Sequence, residues 1–408
     1  MTRYRHLSVA VPVLAEFENL PSLFESLESQ TFSDFDVYIC VNNRESWSCS
    51  MSEREQAMYH DNQKSIEWLR RHREHCPNLH ILDYSSPTKG WAGKGGGVGW
   101  ARKVLLDAIA TEHDEDELVV SLDADTGFEA GYFETVLSVM NRQSDGSCLA
   151  VPYYHPLSGD ETCDRAMLRY EAYMRYYFVN LFGIRQLVPS FPYVFTALGS
   201  AMVFPLWAYG RLGGITPLQG GEDFYLMQKF AKTGKVLLSC NEVVKPQGRA
   251  SMRVPFGTGP AIAKGVDSMD DGYPFYPMEA FEAVAATYSL FPSLYDGDVE
   301  TPMTAFLCSQ LKTSGLWQPL RRNFKTREHF VHACQERVDG LRILQYLRYS
   351  RERMLEDCTS PEEEFGRFCN RHGISLPSGF GFRHSPIETI DSLRDALFGL
   401  EMSLRSQC

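Results

Sequence analysis

The sequence predicts an α/β protein with a mostly parallel central sheet and a mainly helical carboxyl-terminal extension. Three observations predict it. Short apolar runs at 7–13, 36–41, 79–84 and 118–122 have the length and β-branched content of strands buried on both faces. Segments with apolar residues at helical spacing lie between several of them, the alternation that winds a parallel sheet. Polar, acidic or glycine-rich residues follow the runs directly, as expected where ligands gather at the carboxyl ends of strands. With 408 residues, one large domain with an appendage is favoured over two equal halves, with expected boundaries 1–265 and 266–408.

Residues 7–13 supply the first strand, and 19–30, with Leu20, Leu23, Phe24 and Leu27 on one face, the helix that returns across the sheet. A second strand at 36–41 runs into Asn42 and Asn43. The polar excursion 44–78 is expected to contain one helix, 65–75, with Ile66 and Leu69 inward, before a third strand at 79–84. A glycine-rich turn, TKGWAGKGGGVGWARKVLLDAIA, then opens a helix near 99–110. Its amino terminus offers free N–H groups to an anion, and Lys94, Arg102 and Lys103 stand beside it. It matches neither standard phosphate fingerprint, so a flexible glycine turn is the alternative. Residues 148–153 read as a further strand ending in the HPLSG turn, with His155 a turn or packing residue and a metal ligand as the alternative. The helix 166–182 carries Tyr170, Tyr173, Tyr177 and Leu181 on a face expected to be core.

The stretch 186–210 carries no charge and is long enough to cross a bilayer. Pro189, Pro192 and Pro205 would break such a helix, so buried strands and loops beneath a binding site are expected. The amino terminus has the outline of a signal peptide but ends at Glu16 without a cleavage site, which favours a buried first strand. Eleven cysteines without a CxxC pair suggest reduced thiols and a cytoplasmic protein. A net charge of -12 disfavours nucleic acid as a partner.

The most informative stretch is ELVVSLDADTGF at 117–128, which delivers Asp123 and Asp125 off the end of an apolar strand. Residues two apart on an extended chain point to one side, so both carboxylates can face one cation across the small Ala124. Magnesium is held in this way, by one or two carboxylates plus phosphates and water. A solvated acidic turn would have the same sequence. The second acidic cluster, GGEDFYLMQKFAKTGKV, places Glu222 and Asp223 in the first turn of an amphipathic helix carrying Phe224, Met227 and Phe230. A preference for acids at helix starts would also account for it.

Together these pieces resemble the inverting glycosyltransferases of family two, nucleotide-sugar-dependent enzymes with the Rossmann-like glycosyltransferase A fold. VPVLAEFENLPSLFESLESQTFSDFDVYICVNN is similar to their opening strand, helix and second strand. SLDADTGFEAGYF is similar to their DxD strand, and GGEDFYLMQKFAKTGKV to their Glu-Asp acceptor helix. RASMRVPFGTGPA additionally resembles a signature of a bacterial subgroup. The resemblance covers about 7–263.

The resemblance implies donor contacts at Pro12, Glu16, Asn42 and Asn43, where family members often have aspartates after the second strand. It implies Asp123 near the ribose and the Mg2+ or Mn2+ ion, Asp125 as the main metal ligand, and Gly199 and Ser200 as the sugar and acceptor shelf. Asp223 would be the general base, with Glu222 positioning the acceptor. Arg249 and Arg253 would add charge to the diphosphate or grip an anionic acceptor, with a strand-edge salt bridge as the alternative, and Lys94 and Arg102 would meet the diphosphate beside the glycine turn. The implied partners are a nucleotide-diphosphate sugar and a saccharide, lipid-linked or small-molecule acceptor.

Beyond Met278, helices are expected at 327–354 and 387–404. Such a region would cap the acceptor site, dimerise, or dock peripherally on a partner or membrane; a solvated appendage is the default. Two other functions compete. A sugar-phosphate nucleotidyltransferase would carry a glycine- and arginine-rich loop after the first strand, where this chain has LAEFENLPS. A catalytically silent binding protein would not need both acidic pairs.

Overall fold

The computed structural model describes residues 3–50, 52–92, 95–251, 253, 257–268, 273–354 and 360–408. They form two compact units, one of residues 1–167, 196–267 and 405–408, the other of 168–195 and 268–404.

The first unit is α/β. In chain order it contains β1 (Leu7–Val13), α1 (Leu20–Glu28), β2 (Phe35–Asn42), α2 (Glu53–Arg73), β3 (Leu79–Tyr84), α3 (Val98–Glu112), β4 (Leu118–Ser121), β5 (Thr126–Gly127), α4 (Tyr132–Arg142) and β6 (Gly146–Ala150). After the start of α5 (Glu161–Leu187) come β7 (Met202–Pro205), α6 (Leu206–Arg211), α7 (Glu222–Thr233), β8 (Lys235–Leu237), β9 (Lys245–Pro246) and α8 (Thr258–Asp267). The seven-stranded sheet has the order β3-β2-β1-β4-β7-β6-β8. Pairing is parallel except at β7, which runs against both β4 and β6. From β1 the chain builds outward to β2 and β3, then returns to place β4 on the other side. The crevice beyond the carboxyl ends of β1 and β4 is therefore the switch point of the sheet, where open α/β proteins bind ligands.

Pro12 helps to open that crevice. Residues Leu7 to Ala10 pair with β4, and the register ends at Ala10 opposite Ser121. Leu122 still donates its N–H to Ala10 O at 3.1 Å. A proline has no N–H to continue such a ladder, and Pro12 stands where β4 has already peeled away. A two-stranded ribbon of β5 and β9 then fixes the acidic turn: Gln247 N donates to Asp125 O at 3.1 Å.

Several elements differ from the sequence expectation for physical reasons. The excursion after β2 is mostly helix, because α2 begins at Glu53 rather than 65. Ser52 caps it by accepting from Glu55 N, acids occupy its first turn and basic residues its last. It buries only Asn62, Ser65, Ile66 and Leu69, so little apolar periodicity marks it. The sixth strand lies at Gly146–Ala150 instead of 148–153. The uncharged 186–210 stretch contains one strand, β7, and the short α6; helix α8 has no counterpart in the expectation. No helix among the described residues is long and apolar enough to cross a membrane.

The second unit is helical among its described residues. It takes the continuation of α5 and then α9 (Met278–Leu290), α10 (Thr304–Leu311), α11 (Gln318–Asn323), α12 (Arg327–Arg337), α13 (Gly340–Met354), α14 (Pro361–Arg371) and α15 (Ile387–Arg405). The single helix expected over 327–354 is two, because the chain breaks at Val338 and Asp339, whose carboxylate accepts from Arg342 N and starts α13. The tyrosine face of α5 is core: Tyr170 packs on Tyr273, Tyr173 on Tyr276 and Tyr177 on Phe281. Arg175 is fully buried between Glu171 and Glu401, whose carboxylates compensate its charge.

Candidate functional site

The site is built from the ends of β1, β2 and β4 and the starts of α3 and α7. Arg102, from the second turn of α3, is its hub. The guanidinium is 3% exposed and donates in three directions: Nε to Glu222 Oε1 at 2.9 Å, Nη1 to Ser121 Oγ at 2.6 Å and Nη2 to Asp123 Oδ1 at 2.5 Å. One cation thus ties the acidic turn after β4 to the acidic start of α7. Ser121 passes the chain on by donating to Gly199 O at 2.8 Å. A Cβ at Gly199 would lie 2.0 Å from Arg102 Nη2, so glycine is required for the guanidinium to sit there. Arg102 was expected to face a diphosphate; its nitrogens instead serve protein groups.

The start of α3 is fixed from below. Gly97 has a φ of 96°, in the left-handed region, and Gly99 N donates to Leu218 O at 3.1 Å. A Cβ on Gly99 would meet that same oxygen at 2.2 Å. The glycines therefore press α3 onto the loop that leads into Gly220, Gly221 and α7. Gly221, with φ of 75°, turns the chain so that Glu222 and Asp223 begin the helix. Glu222 is buried at 3% exposure, and Asp223 Oδ1 accepts from Phe224 N at 2.7 Å. Burial, then the neighbouring Asp223 charge, push the Glu222 carboxyl up to about 7 against the pull of Arg102. Burial also raises Asp223, with Arg102 opposing.

A second cluster lies across the crevice. Arg249, delivered by β9, donates to both oxygens of Glu16 and to Asp125 Oδ2 at 3.2 Å. Arg253 Nη1 donates to Leu14 O and Ala15 O, each at 2.8 Å, and pairs with Glu16 Oε1 at 2.6 Å. Ala15 sits at φ of 53°, costly for a residue with a side chain and held here by those bonds and by Asn62, which accepts from Ala15 N. Burial raises the Asp125 carboxyl to about 7, with Glu16 and Asp123 adding to the rise and the two arginines opposing it.

The remaining expected residues are placed as follows. Asn42 and Asn43 are buried: Asn42 Nδ2 donates to Val13 O, Asn43 Nδ2 to Arg44 O, and Asn62 donates to both Asn42 O and Asn43 Oδ1. Their amides lace the strand ends together. Ser200 is buried with an unpartnered hydroxyl among the described residues, as is Thr126 just beyond Asp125. His155 packs against Tyr153 as expected. Lys94 lies outside the described residues. Asn62 and Ser121 were missed, since a polar residue in an exposed-looking helix or at a strand end carries no sequence signal of its partner.

Carboxylate oxygens are the ligands a hard divalent cation takes. Asp123 and Asp125 stand on one turn and Glu16 acts on Asp125, but Asp123 pairs with Arg102 while Asp125 and Glu16 pair with Arg249, so among the described residues the three are not gathered around one point.

No protein-family model matches this sequence, and no curated protein matches it. Among solved structures, the S. aureus TarS fragment 1–349 in complex with UDP aligns at 14% identity over 90% of this chain and 92% of that one, with a TM-score of 0.40. The same fragment with UDP-GlcNAc aligns at 13% identity over the same shares, TM-score 0.39. A mannosyltransferase from Pyrobaculum calidifontis, in complex with GDP-Man and Mn2+, aligns at 13% identity over 98% of this chain and 86% of that one, TM-score 0.37. Overlap at this level defines neither fold nor activity for this chain.

Proposed function

We propose that the protein is an inverting, divalent-metal-dependent glycosyltransferase that moves a sugar from a nucleotide-diphosphate sugar to an acceptor hydroxyl. The observation that carries the reading is the Arg102 bridge, which joins Asp123 of the acidic turn to Glu222 of the α7 start. Inverting transfer needs two acidic functions on opposite sides of one anomeric carbon, and a shared buried cation fixes their spacing.

In this reading Asp123 and Asp125 hold Mg2+ or Mn2+, which neutralises charge on the leaving diphosphate. Glu16, Arg249 and Arg253 shape the donor side of the crevice, with Pro12 at its floor and Gly199 and Ser200 as the sugar shelf. Glu222 is held by Arg102 and positions. Asp223 takes the acceptor proton: it stands in the first turn of α7, and burial raises its carboxyl above the ordinary range, which makes it a stronger base. The acceptor approaches from the α7 side.

Calorimetry of nucleotide sugars with and without Mn2+ tests this. One nucleotide sugar should bind with Mn2+ and weaken at least about tenfold in Asp125→Asn, which removes a negative ligand. Binding of no nucleotide sugar, or metal-independent binding unaltered by Asp125→Asn, would overturn it.

A further inference from the structure

At the opposite end of the sheet from this crevice lies a second cluster of ligating groups. His6 precedes β1, Asp36 is near the start of β2, and His113 and Glu117 flank the turn between α3 and β4. The imidazoles of His6 and His113 stack with centroids 5.3 Å apart and planes 17° from parallel. Both Nδ1 atoms face Glu117, His6 at 2.8 Å and His113 at 3.6 Å. Both Nε2 atoms face Asp36 Oδ2, at 3.8 and 3.4 Å. One ligand atom from each of His6, His113 and Glu117 lies within 4.8 Å of the others.

We propose that these three residues bind one divalent transition-metal ion, of the class zinc represents, in a site unrelated to the donor crevice. Imidazole nitrogen favours zinc-like ions over magnesium or calcium. Bonds of about 2.0–2.2 Å around a tetrahedral centre separate ligand atoms by about 3.3 Å, so the existing spacings need only small ring movements. The surrounding groups are those that orient metal ligands. Asp36 stands within ion-pair distance of the far nitrogen of each histidine, Tyr38 Oη lies 3.0 Å from His113 Nε2, and Ser8 Oγ donates to Glu117 Oε1 at 2.5 Å. Glu117 is nearly enclosed while the histidine side chains are 27% and 19% exposed, which leaves an entry path.

The two stacked imidazoles have carboxylates at both ends, and a dication at the Nδ1 end would sit between the rings and Glu117. His80, between Asp36 and Glu112, and Asp34, 4.0 Å from His6, complete the local charges. Because β1 rises about 3.3 Å per residue over seven residues, the site stands about 20 Å from the crevice. Its role would be to pin the amino ends of β1 and β4.

The test uses the full chain stripped by chelator and then titrated with Zn2+ alone. One equivalent should bind and raise the melting temperature. Asp125→Asn should bind that equivalent unchanged, and folded His6→Gln/His113→Gln should lose at least about a hundredfold in affinity. If the double variant does not fold, Asp36→Asn replaces it, with an expected loss of about 10–100-fold. No stoichiometric uptake, uptake unaltered in these variants, or uptake abolished by Asp125→Asn would each overturn the proposal.

Discussion

Arg102 is the residue on which the crevice depends, because it holds two carboxylates from distant parts of the chain in a buried place. Breaking a buried pair leaves uncompensated charge, so Arg102→Met should cost about 3–5 kcal/mol, read from chemical denaturation. It should also weaken metal-dependent donor binding, since Asp123 loses its tether. A loss below about 1 kcal/mol would mean that the bridge is not held in solution. Glu222 supplies a pH signature. Its carboxyl is raised from an ordinary 4.5 to about 7, so the folded state binds the proton more tightly than the unfolded one. The resulting stability is fully present below pH 4.5 and is lost as pH rises through 7. Glu222→Gln removes that titration, and its stability should fall less steeply between those pH values than the wild-type stability does. Identical slopes would place the proton elsewhere.

At the scale of elements, glycine sets how closely α3 meets its neighbours. Gly99→Ala drives a Cβ into Leu218 backbone, and overpacking of this kind costs about 1–3 kcal/mol. Thermal unfolding should show the loss, and donor affinity should fall because α3 carries Arg102. An unshifted melting temperature would mean that α3 does not press on the 216–219 loop. The strands were legible because apolar runs bounded by polar turns have few alternatives, and strand ends then placed Asp123 and Asp125 near the crevice. The start of α7 was legible from two glycines before two acids. What the sequence concealed were pairings across distance: nothing near residue 102 says that its guanidinium meets Ser121, Asp123 and Glu222, and nothing in α2 says that Asn62 will tie Asn42, Asn43 and Ala15 together. His6, Asp36, His113 and Glu117 were equally hidden, since no regular spacing links them until the sheet brings their strands side by side.

For the whole molecule, the chain's last residues return to the first unit. The buried Arg405 donates to Ala150 O at 2.7 Å and Leu238 O at 3.2 Å, joining the ends of β6 and β8. Removing residues 405–408 leaves those carbonyls short of a donor and should cost about 1–3 kcal/mol; unchanged denaturation would contradict this. The larger architecture puts every element of the proposed chemistry on one edge of one sheet, with the acids proposed to hold the donor after β4 and the proposed base at the head of α7. The most direct test is the rate of sugar transfer by Asp223→Asn, measured with the donor that calorimetry identifies and with donor affinity determined separately. The substitution keeps size and removes the base, so the rate should fall by about 10²-fold or more while donor affinity stays near that of the wild-type protein. Transfer at the wild-type rate would contradict the assignment of Asp223 and, with it, the division of labour between the two acidic clusters.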